Sequence, residues 1–164
     1  MYNKKKTTGM SKMTNALQSV WEEVLRPMFL RPKRVQVAAL CYRETRSGKD
    51  VLLITSRDTG RWIVPKGWPI KGLNGSEAAL REAWEEAGVK HATVNPTPVG
   101  QYDYVKGLDT GGKTTVRTQV YLAEVKSLEA DYPEADERSR KWVAPKEAAN
   151  MVQEPELQAI LRAL

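Results

Sequence analysis

The chain has a single cysteine in 164 residues, so no intrachain disulfide can form. Cys41 sits in an apolar, strand-like run, which fits the buried, reduced thiol of a cytoplasmic protein. No apolar run approaches the roughly 18 residues that a transmembrane helix needs. The N-terminus is basic, but no apolar segment of roughly 7–15 residues follows it, so a secretory signal is not expected. There is no internal repeat. Most of the chain also lacks excess charge. The formal net charge of +6 resides in residues 1–34, where Lys4, Lys5, Lys6, Lys12, Arg26, Arg31, Lys33 and Arg34 face only Glu22 and Glu23. The remainder balances to zero, so its charge does not suggest nucleic-acid binding.

What is present reads as globular: 41% of residues are hydrophobic and 28% charged, enough for one domain with a core. Residues 1–12 are polar and expected to be disordered. Leu17, Val20, Trp21, Val24 and Leu25 then recur at helical spacing, with Thr14 or Asn15 as cap and Pro27 perturbing the end. This amphipathic helix fits packing on its own domain or a partner chain better than on a membrane. From Arg34 the pattern changes to short β-branched runs. Val35–Tyr42, Val51–Thr55, the extended Trp62–Pro65, Val94–Tyr104, Thr115–Val125 and Lys141–Val143 read as strands. Asn74 opens a central helix as N-cap, with Glu77 at N3 in a capping box and Gly88 at its C-terminal end. Two further helices are expected over Ala144–Val152 and Pro155–Leu164. Strands on both sides of a central helix, with helices at the end, indicate an α/β or α+β layered domain over residues 34–164, preceded by a helical arm over 1–33.

The central helix carries the chemistry. Glu82, Glu85 and Glu86 stand at i, i+3 and i+4, which puts three carboxylates on one face. Three like charges there repel, so stability does not explain them; a divalent cation would. An all-oxygen ligand set suits a hard ion such as Mg²⁺, which commonly also binds substrate phosphates.

The stretch Gly67–Val89 resembles the Nudix box, whose pattern is Gly, five residues, Glu, seven residues, then Arg-Glu-aliphatic-any-Glu-Glu-any-Gly-aliphatic. Gly67, Arg81, Glu82, Glu85, Glu86, Gly88 and Val89 fall at the required spacing, and Ala83 is a small version of the aliphatic position. Leu73 departs, standing where the pattern has its first Glu. The resemblance implies a Nudix-type α/β/α sandwich with a mixed sheet flanked by helices. It also implies a hydrolase of diphosphate linkages that uses Mg²⁺, with Mn²⁺ as the alternative. It assigns Glu82, Glu86 and the Gly67 carbonyl to the metal and Glu85 to the general base or a further ligand. Arg81 would orient Glu85 through an ion pair. An extra carboxylate is expected from the segment before the last strand, with Glu137 as the candidate, and Leu73 implies a loop held by apolar packing.

The runs Arg61-Trp-Ile-Val-Pro65 and Arg138-Ser-Arg140-Lys-Trp142 further resemble the diphosphoinositol polyphosphate phosphohydrolase branch, which also cleaves diadenosine polyphosphates. That resemblance offers Arg34, Arg57, Lys66, Arg138 and Arg140 as contacts to a dense anion. Lys66 and Trp68 depart from the branch's glycine-rich turn, and Trp68 could wall the pocket or stack a base. Gln36 stands where the branch has a basic residue, and Tyr102 or Tyr104 where dinucleoside polyphosphate hydrolases carry a tyrosine. The expected partner is a small polyphosphate, not nucleic acid or a membrane; a homodimer stays open. The alternatives are a nucleoside diphosphate-sugar or nucleoside triphosphate pyrophosphatase and a non-catalytic Nudix module that binds a phosphorylated ligand or a partner protein.

Overall fold

A β-sheet with helices on both faces organises residues 34–164. The computed structural model describes residues 34–108 and 111–164; the expected basic arm and the helix around Leu17–Leu25 lie outside the described residues. The strands are β1 (Arg34–Thr45), β2 (Gly48–Thr55), β3 (Trp62–Ile63), β4 (Lys66–Gly67), β5 (Val89–Val94), β6 (Gly100–Gly107), β7 (Lys113–Leu128) and β8 (Arg140–Val143). The helices are α1 (Gly75–Ala87), α2 (Pro145–Met151) and α3 (Pro155–Arg162). Strand order along the main path is β3-β2-β1-β7-β5, with β4 on β1, β6 on β7 and β8 on β2. β1 and β7 run parallel, pairing Ala38 with Val120, and the other pairs are antiparallel. The sheet is therefore mixed. Among the described residues no helix is long and apolar enough to cross a membrane.

The apolar run of β1 explains the layering. Successive strand residues face opposite sides. Val37, Ala39 and Cys41 pack with Ala78, Ala79, Ala83 and Ala87 of α1. Ala38 and Leu40 pack with Ala148, Ala149, Leu157 and Leu161 of α2 and α3. A strand buried on both faces reads as a continuous apolar run, and that is how residues 35–42 read. Burial holds the Cys41 thiol up at about 12, so it is an inert core group.

α1 begins and ends where the sequence reading puts it. Asn74 Oδ1 accepts the Glu77 N–H at 3.0 Å, and Glu77 Oε2 accepts the Asn74 N–H at 2.8 Å. Gly88 ends the helix at φ 68°, a left-handed conformation that glycine adopts without strain. A Cβ there would lie 2.6 Å from Arg140 Nη1 and from the Tyr132 ring.

Of the expected strand Val94–Tyr104 only Val94 and Gly100–Tyr104 are strand, and β5 (Val89–Val94) is a strand that the sequence reading does not contain. β5 ends at Val94 and β6 starts at Gly100, with Pro96 and Pro98 between them. Proline has no N–H for the ladder, so the pairing breaks there. β7 is long enough, at 16 residues, to pair with both. Leu73 is 42% exposed, so the turn before α1 is not sealed by apolar packing; the Leu73 N–H bonds to Ile70 O at 3.1 Å.

Candidate active site

β4 brings the backbone of Lys66 and Gly67 against the acid face of α1. A Cβ on Gly67 would lie 2.1 Å from Glu82 Cδ and Oε1. Only glycine lets that carboxylate rest on the strand. One turn on, Glu86 is 6% exposed and both of its oxygens are engaged. Oε2 accepts the Lys66 N–H at 2.9 Å, and Oε1 accepts from Arg138 Nη2. Arg138 has a side chain only 5% exposed. It also donates from Nε to Glu134 Oε2 at 2.5 Å and from Nη1 to Thr55 O at 2.9 Å. Glu85 Oε1 accepts from Arg81 Nε at 2.6 Å, and the Glu85 carbonyl accepts the Glu134 N–H at 3.1 Å. The loop after β7 is thereby docked on the helix beside its acids.

Crowding shows in the electrostatics. Burial, then repulsion from Glu86, Glu85 and Glu134, pushes the Glu82 carboxyl from 4.5 up to about 7. Burial also raises Glu86, while Arg138 and the Lys66 backbone and side chain pull it back. Burial lowers the Lys66 ammonium, opposed by Glu86. Among the described residues no three acids already stand as a finished ligand set. The donors nevertheless fit a hard divalent cation: they are all oxygen, and like-charge repulsion already penalises their ionisation.

A cleft of about 600 Å³ opens over these acids. Five acids line it, Asp58, Glu82, Glu85, Glu86 and Glu134, and so do five cations, Arg57, Arg61, Lys66, Lys106 and Arg138. Lys66 lies over the Tyr104 ring at 5.2 Å and Lys106 over the Trp68 ring at 5.1 Å. Tyr104 donates to Gln36 at 2.7 Å.

Other expected residues stand elsewhere. Arg140 does not line the cleft; its Nη1 donates to Ala87 O at 2.7 Å and its guanidinium lies over Tyr132 at 4.9 Å, so it closes the end of α1. Arg34 is exposed at the start of β1, away from the cleft lining. Glu137 accepts from Arg57 at 3.1 Å, but the carboxylate of that segment that lines the cleft is Glu134. Arg138 lines the cleft with its three nitrogens on protein acceptors, so it acts as an internal clamp before it can act as a substrate contact. Asp58, Arg61, Lys106 and Glu134 are the charged cleft residues that sequence reasoning did not single out. Arg61 was legible as part of its run, whereas no local signal marks Lys106 on an alternating strand.

The NUDIX domain family matches residues 32–164. This chain belongs to the Nudix family. It is a Nudix pyrophosphohydrolase. It is 31% identical over 121 residues to the human (Homo sapiens) diphosphoinositol polyphosphate phosphohydrolase 3-alpha, spanning 72% of this chain and 68% of that protein. Among solved Nudix-type structures it resembles the C. elegans Ap4A hydrolase at 20% identity and a TM-score of 0.59, covering 79% of this chain and 94% of that one. The E. coli dihydroneopterin triphosphate pyrophosphohydrolase matches at 15% identity and a TM-score of 0.60, covering 80% and 94%. At those identities the structural likeness speaks for the Nudix fold.

Proposed function

We propose that this Nudix hydrolase cleaves a diphosphate linkage in a densely phosphorylated small molecule, a diphosphoinositol polyphosphate or a diadenosine polyphosphate, with Mg²⁺. The observation that carries the reading is the shared cleft, which five acids and five cations line together. Glu82, Glu86 and the Gly67 carbonyl would hold the ion, with Glu134 beside them. Bound there, Mg²⁺ supplies neutralisation of phosphoryl charge and activation of water. Glu85, oriented by Arg81, takes the proton of the attacking water or completes the ligand set. Lys66, Lys106, Arg57 and Arg61 offset the negative charge of the phosphate chain.

A panel of diadenosine polyphosphates, inositol pyrophosphates, ADP-ribose and nucleoside triphosphates, assayed with Mg²⁺ and with EDTA, tests this. Metal-dependent turnover is expected to be fastest on the first two classes. Turnover that persists in EDTA, or preference for ADP-ribose, would overturn it. Trp68, 38% exposed, together with the neutral Gln36–Tyr104 pair, favours the dinucleotide of the two: an aromatic face serves a base better than a sugar carrying only phosphates.

A further inference from the structure

Arg61 and Glu154 form an ion pair that stability does not account for. Glu154 stands at the N-cap position of α3 and is 7% exposed. Its Oε1 accepts from Arg61 Nη1 at 2.5 Å. Its Oε2 is buried without a hydrogen-bond partner among the described residues. Burying a carboxylate on one bond is expensive, and apolar replacements of such pairs are often as stable. α3 does not need the pair as an anchor, because Leu157 and Leu161 are 1% and 0% exposed in the core beneath it.

The other end of the pair explains it. Arg61 lines the cleft. Its side chain keeps 22% exposure, and its backbone is fixed by the Ser56 N–H on Arg61 O at 2.9 Å. Arg138 and Arg57 donate to Glu86, Glu134 and Glu137, acids in or beside the cleft. Arg61 differs: its acceptor comes from the C-terminal helical pair, and among the described residues only Nη1 is engaged. A guanidinium has five N–H donors in a rigid plane. Holding one corner fixes that plane and leaves a fork of donors.

We propose that Arg61 is a bidentate phosphate contact of the cleft and that Glu154 is its positioning residue, acting from the start of α3. The ligand chemistry is the non-bridging oxygens of a polyphosphate chain, carried by a dinucleotide or by an inositol. The catalytic part rests on the proposed hydrolase reading; the anion site does not.

Two experiments test it. Kinetics of Arg61→Lys, Glu154→Gln and the double variant are measured on a diadenosine polyphosphate and on an inositol pyrophosphate with Mg²⁺. Lysine keeps the charge and loses the fork, so Arg61→Lys should raise KM about tenfold, the worth of one charge-assisted hydrogen bond, with kcat little changed. Glu154→Gln should raise KM less, and should add nothing in the Arg61→Lys background. Equal KM for wild type and Arg61→Lys overturns the contact, and an undiminished Glu154→Gln effect in the double variant overturns the positioning role. An effect on one substrate type only identifies which source of phosphate reaches Arg61. Calorimetry of inorganic tripolyphosphate binding to the metal-free protein is the second arm. Wild type should bind and Arg61→Lys bind about tenfold more weakly; no binding by wild type, or equal binding, sinks the proposal. Tripolyphosphate binding without metal-dependent turnover would instead sink the hydrolase reading and leave the anion site standing.

Discussion

The two sides of the cleft are built in different ways. The acid side is built mainly on one helix: Glu82, Glu85 and Glu86 share a face of α1, and a capping box and a left-handed glycine fix both its ends. The opposite wall is assembled from separate strands and their approaches. Arg61 precedes β3, Lys66 lies in β4, and Tyr104 and Lys106 lie in β6. A helix fixes the relative positions of its side chains by its own period, whereas strands far apart in sequence meet only through the sheet. The acid side should therefore set the rate of the chemical step and the wall should set which anion binds.

The largest effect expected from this contrast lies at Glu85. Glu85→Gln should lower kcat by about 10²-fold or more, the range for a positioned acid–base group, with KM little moved; steady-state kinetics at saturating Mg²⁺ would show it. Near wild-type kcat would remove Glu85 from the proton transfer. Arg138 tests the boundary between the two sides. Its guanidinium is buried among Glu86, Glu134 and Thr55 O, so Arg138→Ala leaves acids uncompensated. A loss of about 3 kcal/mol or more in urea unfolding is expected for breaking such a buried pair. A variant as stable as wild type but with raised KM would make Arg138 part of the wall instead.

The same contrast decides what the sequence could reveal. Spacing along α1 is local information, and the capping box, Gly88 and the acid face are all legible in residues 67–89. β1 is legible because burial on both faces leaves an uninterrupted apolar run. Lys106 has no such mark, since it reaches the cleft only because β6 pairs with β7 and β7 with β1. Glu134, Glu137, Arg138 and Arg140 show the limit from the other side. All four sit in one charged segment, and only the path of the loop determines which turn inward. Arg140 turns to the end of α1, and Glu134 turns to the cleft. The break between β5 and β6 was written in Pro96 and Pro98, but the alternating residues around them mask it.

On the wall, Trp68→Ala should raise KM for a diadenosine polyphosphate about tenfold, taking base stacking at roughly 1–3 kcal/mol. KM for an inositol pyrophosphate should stay near wild type. Equal effects on both would make Trp68 a packing residue of the loop. A smaller effect is expected from pH on the acid side. Glu82 titrates near 7 in the folded protein against 4.5 for an ordinary carboxyl. Between those values the folded state holds a proton that the unfolded chain has released, so stability of the metal-free protein falls as pH rises through that window. Thermal unfolding in EDTA should show Tm a few degrees higher at pH 5 than at pH 8. The stabilisation by added Mg²⁺ should grow over the same interval, because ligation needs the ionised carboxylate. A Tm independent of pH in EDTA would mean that burial and the neighbouring acids do not hold the Glu82 carboxyl above its ordinary range in solution.

The smallest effect is expected at the position that departs from the Nudix pattern. Leu73 is exposed, and the turn that carries it is held by a backbone bond to Ile70 and by Gly72 at φ 89°. Leu73 borders a groove with Glu77, Leu80, Arg81 and Trp84, whose lining does not include Gly67. Leu73→Glu therefore meets solvent, and its stability should stay within about 0.5 kcal/mol of wild type. The new carboxylate has one route to the chemistry. It would border the same groove as Arg81, whose Nε holds Glu85 at 2.6 Å. An exposed pair of this kind is worth about 0–1 kcal/mol, so competition for Arg81 should change kcat by no more than about threefold. A larger fall in kcat, with stability unchanged, would show that the Arg81–Glu85 pair governs the rate and that leucine at this position protects it.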